Sequence, residues 1–279
     1  MSLRDRIETI AKQSGLHRIG VAPIDRFEGA PEGLSPLQLL PEARSVISLG
    51  IKLLKGVVEA NRQAYRAGYR PALYPYMVYG YPHPNLILEH GAYMVAQAIE
   101  EEGFLGIPLP AARPADSANL RAALSHRHAA VAAGLADFGW CGLAVTRETG
   151  PKMRFISIVT DAPLPPDPLI KGRICDHARC GYACVKACPL KAIDPNDVVS
   201  FNIAGKEVSY FRLKKWSCIL GSYGMKEKAM GIIDFQEPEN PDMQSFLQAT
   251  SQAVKEGKES ERMGSCGRCF VSCPLGTTE

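Results

Sequence analysis

Nine cysteines, eight of them gathered in or between two short groups that each run into a proline, constrain this chain more than any other feature. Cys175, Cys180, Cys184 and Cys188 form the first group and lead into Pro189. Cys266, Cys269 and Cys273 form the second and lead into Pro274, with Cys218 between the groups and Cys141 apart. An odd number of clustered cysteines without a signal peptide argues against a disulfide framework and for metal ligands in a reducing compartment. Eight thiolates are four for each of two cubane iron-sulfur clusters. In the bacterial ferredoxin run, C-x2-C-x2-C-x3-C-P, the fourth cysteine ligates the other cluster, and both groups here end in C-x3-C-P. Crossing then predicts one cluster on Cys175, Cys180, Cys184 and Cys273, and a second on Cys218, Cys266, Cys269 and Cys188. Structural zinc is the competing reading, but four-thiolate zinc sites have no need of a repeated C-x3-C-P ending. A radical-SAM site wants three cysteines and one open iron, whereas eight thiolates close both cubanes.

With 46% hydrophobic residues in 279, the chain can bury a core without disulfides. Its 32 basic and 29 acidic residues are mixed along the sequence, so no electrostatic footprint for nucleic acid stands out. No 18-residue apolar run occurs, and the charges at Arg4, Asp5, Arg6 and Glu8 rule out a secretory h-region at the start. The expectation is a cytoplasmic protein with no membrane partner.

Periodicity predicts a helix over 3–14, a strand over 18–23, a strand over 45–51 and a helix over 85–102 closed by Gly103. It then predicts a helix over about 118–136 and strands over 143–146 and 155–161. Four prolines within 162–168 read as a stiff linker. The predicted fold is α+β, with domains at 1–165 and 166–279.

The stretch Ser125-His126-Arg127-His128-Ala129-Ala130-Val131-Ala132-Ala133-Gly134-Leu135, the strand ending Ile158-Val159-Thr160-Asp161-Ala162-Pro163-Leu164, and the cysteine groups follow in fixed order. Together they resemble the epoxyqueuosine reductase and reductive dehalogenase group, over roughly residues 120–279. The resemblance implies a nitroreductase-like α/β domain that binds cobalamin or another corrinoid, fused to a ferredoxin-like domain with two 4Fe-4S clusters. FMN is the alternative occupant. It also implies a cofactor site at Ser125, His126, Gly139, Trp140, Cys141, Gly142, Thr160 and Asp161. Asp116 resembles the acid that supplies a proton in the tRNA enzymes. Those enzymes usually carry G-L-G-W-I-G-K where this chain has Gly134 to Cys141, and they carry a C-terminal helical-repeat domain that helps hold tRNA. This chain stops six residues after Cys273, so the expectation is against tRNA as a partner.

Six of the ten tyrosines fall between Tyr65 and Tyr81. Tyrosine offers a flat apolar face and a phenol proton, which suits a pocket for a macrocycle or aromatic substrate, with Tyr76 the candidate acid. A proline-pinned surface loop is the other reading. His126 and His128 stand two apart on a helix and face different directions, so each is expected to cap a helix or fill the core. No D-x-H-x-x-G, G-x-G-x-x-G or G-x-x-x-x-G-K-[ST] occurs, so no histidine is expected below cobalt and no nicotinamide or nucleotide triphosphate is expected. Electrons are expected from a ferredoxin- or flavodoxin-type donor. Two functions remain open: a corrinoid-dependent reductase of a small organic substrate, or an electron-transfer protein that activates a partner's corrinoid. Cys141 is the thiol left over, either inert core or part of the cofactor pocket.

Overall fold

The computed structural model describes residues 1–222, 242–255 and 266–276. Helix α1 (Leu3–Gln13) starts where the Ser2 hydroxyl accepts from the Asp5 amide and the Asp5 carboxylate accepts from the Ser2 amide, a reciprocal cap that satisfies two orphan donors. Ile7 and Ala11 are the buried stripe. Strand β1 (Arg18–Pro23) follows and pairs antiparallel with β2 (Ser45–Lys52). Strand β2 in turn pairs with β6 (Met153–Thr160), and β6 pairs with the short β3 (Gly106–Pro108), all antiparallel, in the order β1-β2-β6-β3. Strands β2 and β6 are central and buried on both faces, which is why they read as continuous apolar runs.

Side chains alternate across these strands. Ile47, Leu49, Ile156 and Ile158 face α1 and α4 (Pro82–Glu100), where they meet Ile7, Leu88, Val95 and Ile99. On the opposite face Val46 and Val159 meet Ala129 of α5 (His126–Ala132), while Phe155 joins Ala130 and Val131 of the same helix. Each such fully buried branched side chain stabilises the fold by about 1.5–3 kcal/mol relative to exposure.

The helix expected over 118–136 is confined to α5. Asp116 and Arg121 pair as an isolated bridge, Leu120 takes a left-handed φ of 50°, and Ser125 is the N-cap. The tyrosine-rich stretch is helical rather than a loop, with α2 (Lys55–Ala67) running into α3 (Tyr74–Tyr79). Nor is the proline-rich segment free. Asp167 accepts from the Val21 amide through Oδ2 at 2.8 Å and donates its own amide to the Val21 carbonyl at 2.9 Å, while Arg4 and Arg26 also hold it.

The small hairpin of β4 (Asp137–Phe138) and β5 (Ala144–Val145) leads from α5 toward β6. Beyond the proline-rich segment come α6 (Ala183–Ala187) and the long hairpin of β7 (Ile193–Ile203) and β8 (Lys206–Leu213), turned at Ala204-Gly205 with both φ positive. Then follow α7 (Lys215–Ser222), α8 (Met243–Lys255) and α9 (Arg268–Val271). The long hairpin packs on the first half: Ile203 and Val208 share a core with Ala130 and Phe138. No helix among the described residues is long and apolar enough to cross a membrane.

Candidate functional site

The short ligand helices α6 and α9 pack on one another and bring the two cysteine groups together. Cys269 is partly buried, and burial followed by the nearby thiols Cys218, Cys266, Cys188 and Cys184 pushes it well above the ordinary thiol range. Cys273 is pushed up to about 11 by burial, with Cys175 and Cys184 among the thiols acting on it. Cys188 thus acts on Cys269 of the second group, and Cys175 and Cys184 of the first group act on Cys273. Four thiols in reach of one another in an apolar setting cannot all ionise without a counter-charge, and cluster iron would supply one. Among the described residues no three His, Cys, Asp or Glu side chains converge tightly enough to hold a single metal ion. A cubane takes one thiolate on each of four separate irons, so its ligands stand farther apart than those of one ion.

The first half of the chain fixes these loops. Lys152 donates to the carbonyls of Cys273 and Leu275, Arg62 donates to that of Val271, and the Tyr65 hydroxyl donates to that of Cys266 at 2.6 Å. At the tightest crossing Gly276, with φ +69°, passes Thr149 so closely that a Cβ would lie 2.2 Å from its carbonyl carbon. Only glycine fits there. Tyr76 belongs to the same contact: it is buried with Val57, Val58 and Val271, stacks on Phe270 at 5.5 Å, and its pKa is pushed up by burial. Its expected role as an acid over a substrate is corrected to packing beneath the second cysteine loop. Tyr69, Tyr74, Tyr79 and Tyr81 are exposed.

On the other side of the β4–β5 hairpin lies a recess of about 450 Å³. Leu143, Ala144, Met153 and Phe155 give it an apolar floor, and Ser125, His126, Arg127, Arg154, Tyr210 and Lys215 give it polar walls. The hairpin is a shared partition. Trp140 donates its amide toward Cys175 Sγ at 3.5 Å and packs at a tilt on His177 and Phe211, and Cys141 packs in one apolar cluster with Cys184. That thiol contact draws Cys184 down to about 7. Two residues further on, Leu143 and Ala144 face the recess. Strand β8 repeats the division, with Tyr210 on the recess and Phe211 among the cysteines.

The eight cofactor candidates therefore separate. Ser125 and His126 line the recess. Gly142 does not line it, but its carbonyl accepts from Arg127, which does. Gly139, Trp140 and Cys141 do not line it, and the expectation that Cys141 does so is corrected: its side chain turns into the apolar cluster of Cys184, Ile193 and Phe211. Thr160 and Asp161 lie at the far end of β6, roughly 23 Å along the strand from Met153. There Thr160 accepts from the Ala162 amide and Asp161 from the Leu105 amide, so their assignment to the pocket is also corrected.

His126 is held at both ring nitrogens, by Ser157 Oγ and the Pro110 carbonyl at 3.0 Å each, and burial lowers its pKa. His128 bonds Ser125 Oγ at 2.6 Å, packs on Phe138 and Phe201, and is pushed down to about 4 by burial and by Arg127. Asp116 lies outside the recess lining. Its carboxylate accepts from the side chain and amide of Asn119, which lowers its pKa. Sequence reasoning missed Arg121, Arg154 and Lys215, which carry no motif and meet only in three dimensions. A shallower depression of about 740 Å³ beside Arg26, Lys171 and Lys206 holds none of the candidate residues.

No family model matches the sequence, and no curated protein does. Solved structures do. An epoxyqueuosine reductase with an epoxyqueuosine-modified tRNA-Tyr stem loop matches 98% of this chain and 65% of its own, at 18% identity and TM-score 0.58. The epoxyqueuosine reductase of Streptococcus thermophilus matches 99% of this chain and 66% of its own, at 18% identity and TM-score 0.55. A reductive dehalogenase whose structure suggests a B12-dependent mechanism matches 95% of this chain and 37% of its own, at 16% identity and TM-score 0.55. The chain thus spans about 65% of the length of the epoxyqueuosine reductases it matches. The expectation against tRNA is corrected by these matches, because a protein sharing the fold over nearly all of this chain is found with a tRNA stem loop. The fold of this chain is the one shared by epoxyqueuosine reductases and reductive dehalogenases, the group its sequence motifs resemble.

Proposed function

We propose that the chain is an iron-sulfur oxidoreductase that passes low-potential electrons through two 4Fe-4S clusters to a corrinoid in the recess, where a small organic substrate is reduced. In this reading residues 1–165 are a nitroreductase-like α/β unit and residues 166–279 a ferredoxin-like unit. Cys175, Cys180, Cys184 and Cys273 hold one cluster; Cys218, Cys266, Cys269 and Cys188 hold the other. Nine free thiols suit a reducing compartment such as the cytoplasm.

The observation that carries the reading is the partition. One short hairpin has Trp140 and Cys141 against the cysteines and Ala144 against the recess, with Leu143 touching both. A redox group on either side would be separated by little more than one layer of side chains. A bound corrinoid would supply a metal able to reach the low potentials that the substrate requires. The chain supplies position and exclusion of water: Leu143, Met153 and Phe155 floor the recess, and Arg127 ties the partition to α5 through the Gly142 carbonyl. His126 has both ring nitrogens engaged by the protein and is not available as an axial ligand.

The test is the visible spectrum of anaerobically purified protein before and after cobalamin is added. Broad iron-sulfur absorption with cobalt bands that shift on reduction supports the proposal. Iron-sulfur absorption with no retained cobalt favours an electron-transfer protein serving a partner's corrinoid.

A further inference from the structure

Four cations border the recess: Arg121, Arg127, Arg154 and Lys215. None of them makes an ion pair among the described residues. Their partners are neutral. Arg154 donates Nε to Asn85 Oδ1 at 2.6 Å and lies over the Tyr81 ring at 4.1 Å. Arg121 donates to the Glu32 carbonyl at 2.8 Å, Arg127 to that of Gly142, and Lys215 to that of Asn119 at 3.2 Å.

Arg154 is the decisive member. It is partly buried, burial pushes its pKa down, and the groups that act against that shift are the phenols of Tyr81 and Tyr76. Burial raises the pKa of Tyr76 and holds it neutral, so it supplies no counter-charge. Arg127 differs, since Cys141 and Cys218 act on it and a cluster on Cys218 would balance part of its charge. Asp116 acts on Lys215 and on Arg121 and balances part of their charge, whereas Arg154 has no acidic group acting on it. A partly buried cation is costly unless a counter-charge is supplied. The open side of the recess is where it can enter.

We infer that this recess takes a ligand bearing a carboxylate or phosphate, gripped by Arg154 and Lys215 with Arg121 beside them, its apolar body against Leu143, Met153 and Phe155. The inference rests on the proposed function only in placing the ligand in this recess. Guanidinium groups suit it because they offer paired donors to planar or tetrahedral oxyanions.

The test is calorimetric titration of the anaerobic protein with inorganic phosphate and, separately, with benzoate. Saturable one-site binding of either is expected, weakened about tenfold or more in Arg154→Gln and in Lys215→Gln, as loss of a charge-assisted bond requires. Lys12→Gln, on the exposed side of α1, is the control and should bind as the parent does. Phosphate alone assigns a phosphate-bearing ligand and benzoate alone an aryl carboxylate. Repeating the phosphate titration after cobalamin uptake separates the sources: displacement marks the corrinoid's own phosphate, persistence marks the substrate's. Binding of neither anion, or equal binding in both variants, overturns the inference. Should Arg154→Gln not fold, the exposed Lys215→Gln carries the test. Cobalamin uptake without anion binding refutes this inference and leaves the proposed function standing; anion binding without cobalamin uptake does the reverse.

Discussion

Lys152, one residue before β6, donates its ammonium to the carbonyl of Cys273 at 2.8 Å. The same nitrogen reaches the carbonyl of Leu275 at 2.7 Å, so one side chain from the sheet holds both sides of the second Cys-Pro. Lys152→Met keeps the stem and removes both bonds. Leaving two shielded carbonyls without donors is expected to cost about 2 kcal/mol or more. Chemical unfolding of the anaerobic protein should show that loss, together with faster iron release. An unchanged midpoint and unchanged iron retention would show that the loop holds itself.

The crossed ligation makes an unusual claim about single mutants. Cys188 is one of the thiols acting on Cys269, and Cys175 and Cys184 act on Cys273. Cys188→Ala is therefore expected to damage the cluster of Cys218, Cys266 and Cys269, and Cys273→Ala the cluster of Cys175, Cys180 and Cys184. Paramagnetic resonance of each reduced mutant reads this directly. Loss of the cluster local in sequence would mean that the chains do not cross.

Cys141 sits in an apolar cluster with Cys184, Ile193 and Phe211. Cys141→Ser should leave about eight iron and eight sulfide per chain. It places a hydroxyl in an apolar site, so stability should fall by about 1–2 kcal/mol. Loss of four iron would identify Cys141 as a ligand and redraw the division of the nine thiols.

His128 predicts an acid limit to stability. Its folded pKa is about 4, lowered from 6.5 by burial and Arg127. Below pH 6.5 the unfolded chain takes up a proton that the folded chain refuses, so stability falls as pH drops from about 6.5 to about 4. The loss approaches about 3 kcal/mol for this one group. His126, lowered in the same direction, adds to it. His128→Gln removes one titration and should flatten the difference in unfolding free energy between pH 7 and pH 4.5. An identical slope in the variant would mean that other groups set the acid limit.

Local pattern was enough for α1, β1, β2, α4 and β6, because in each the buried face repeats at the period of its own element. It failed over 118–136, where apolar spacing continues through a backbone that Leu120 and Ser125 divert before α5. It also passed over the long hairpin, whose signal is the Ala204-Gly205 turn between alternating strands. The cysteine chemistry was legible because ligand spacing within each group is a property of a few consecutive residues. Where the lone thiol points was not, since Cys141 packs among the cysteines while Ala144, three residues on, lines the recess. Sequence by itself determined the thiol count, the two Cys-Pro endings and the central strands. Only the tertiary structure decided that Arg121, Arg154 and Lys215 share one recess, because charge convergence depends on how distant segments pack and leaves no periodic trace along the chain.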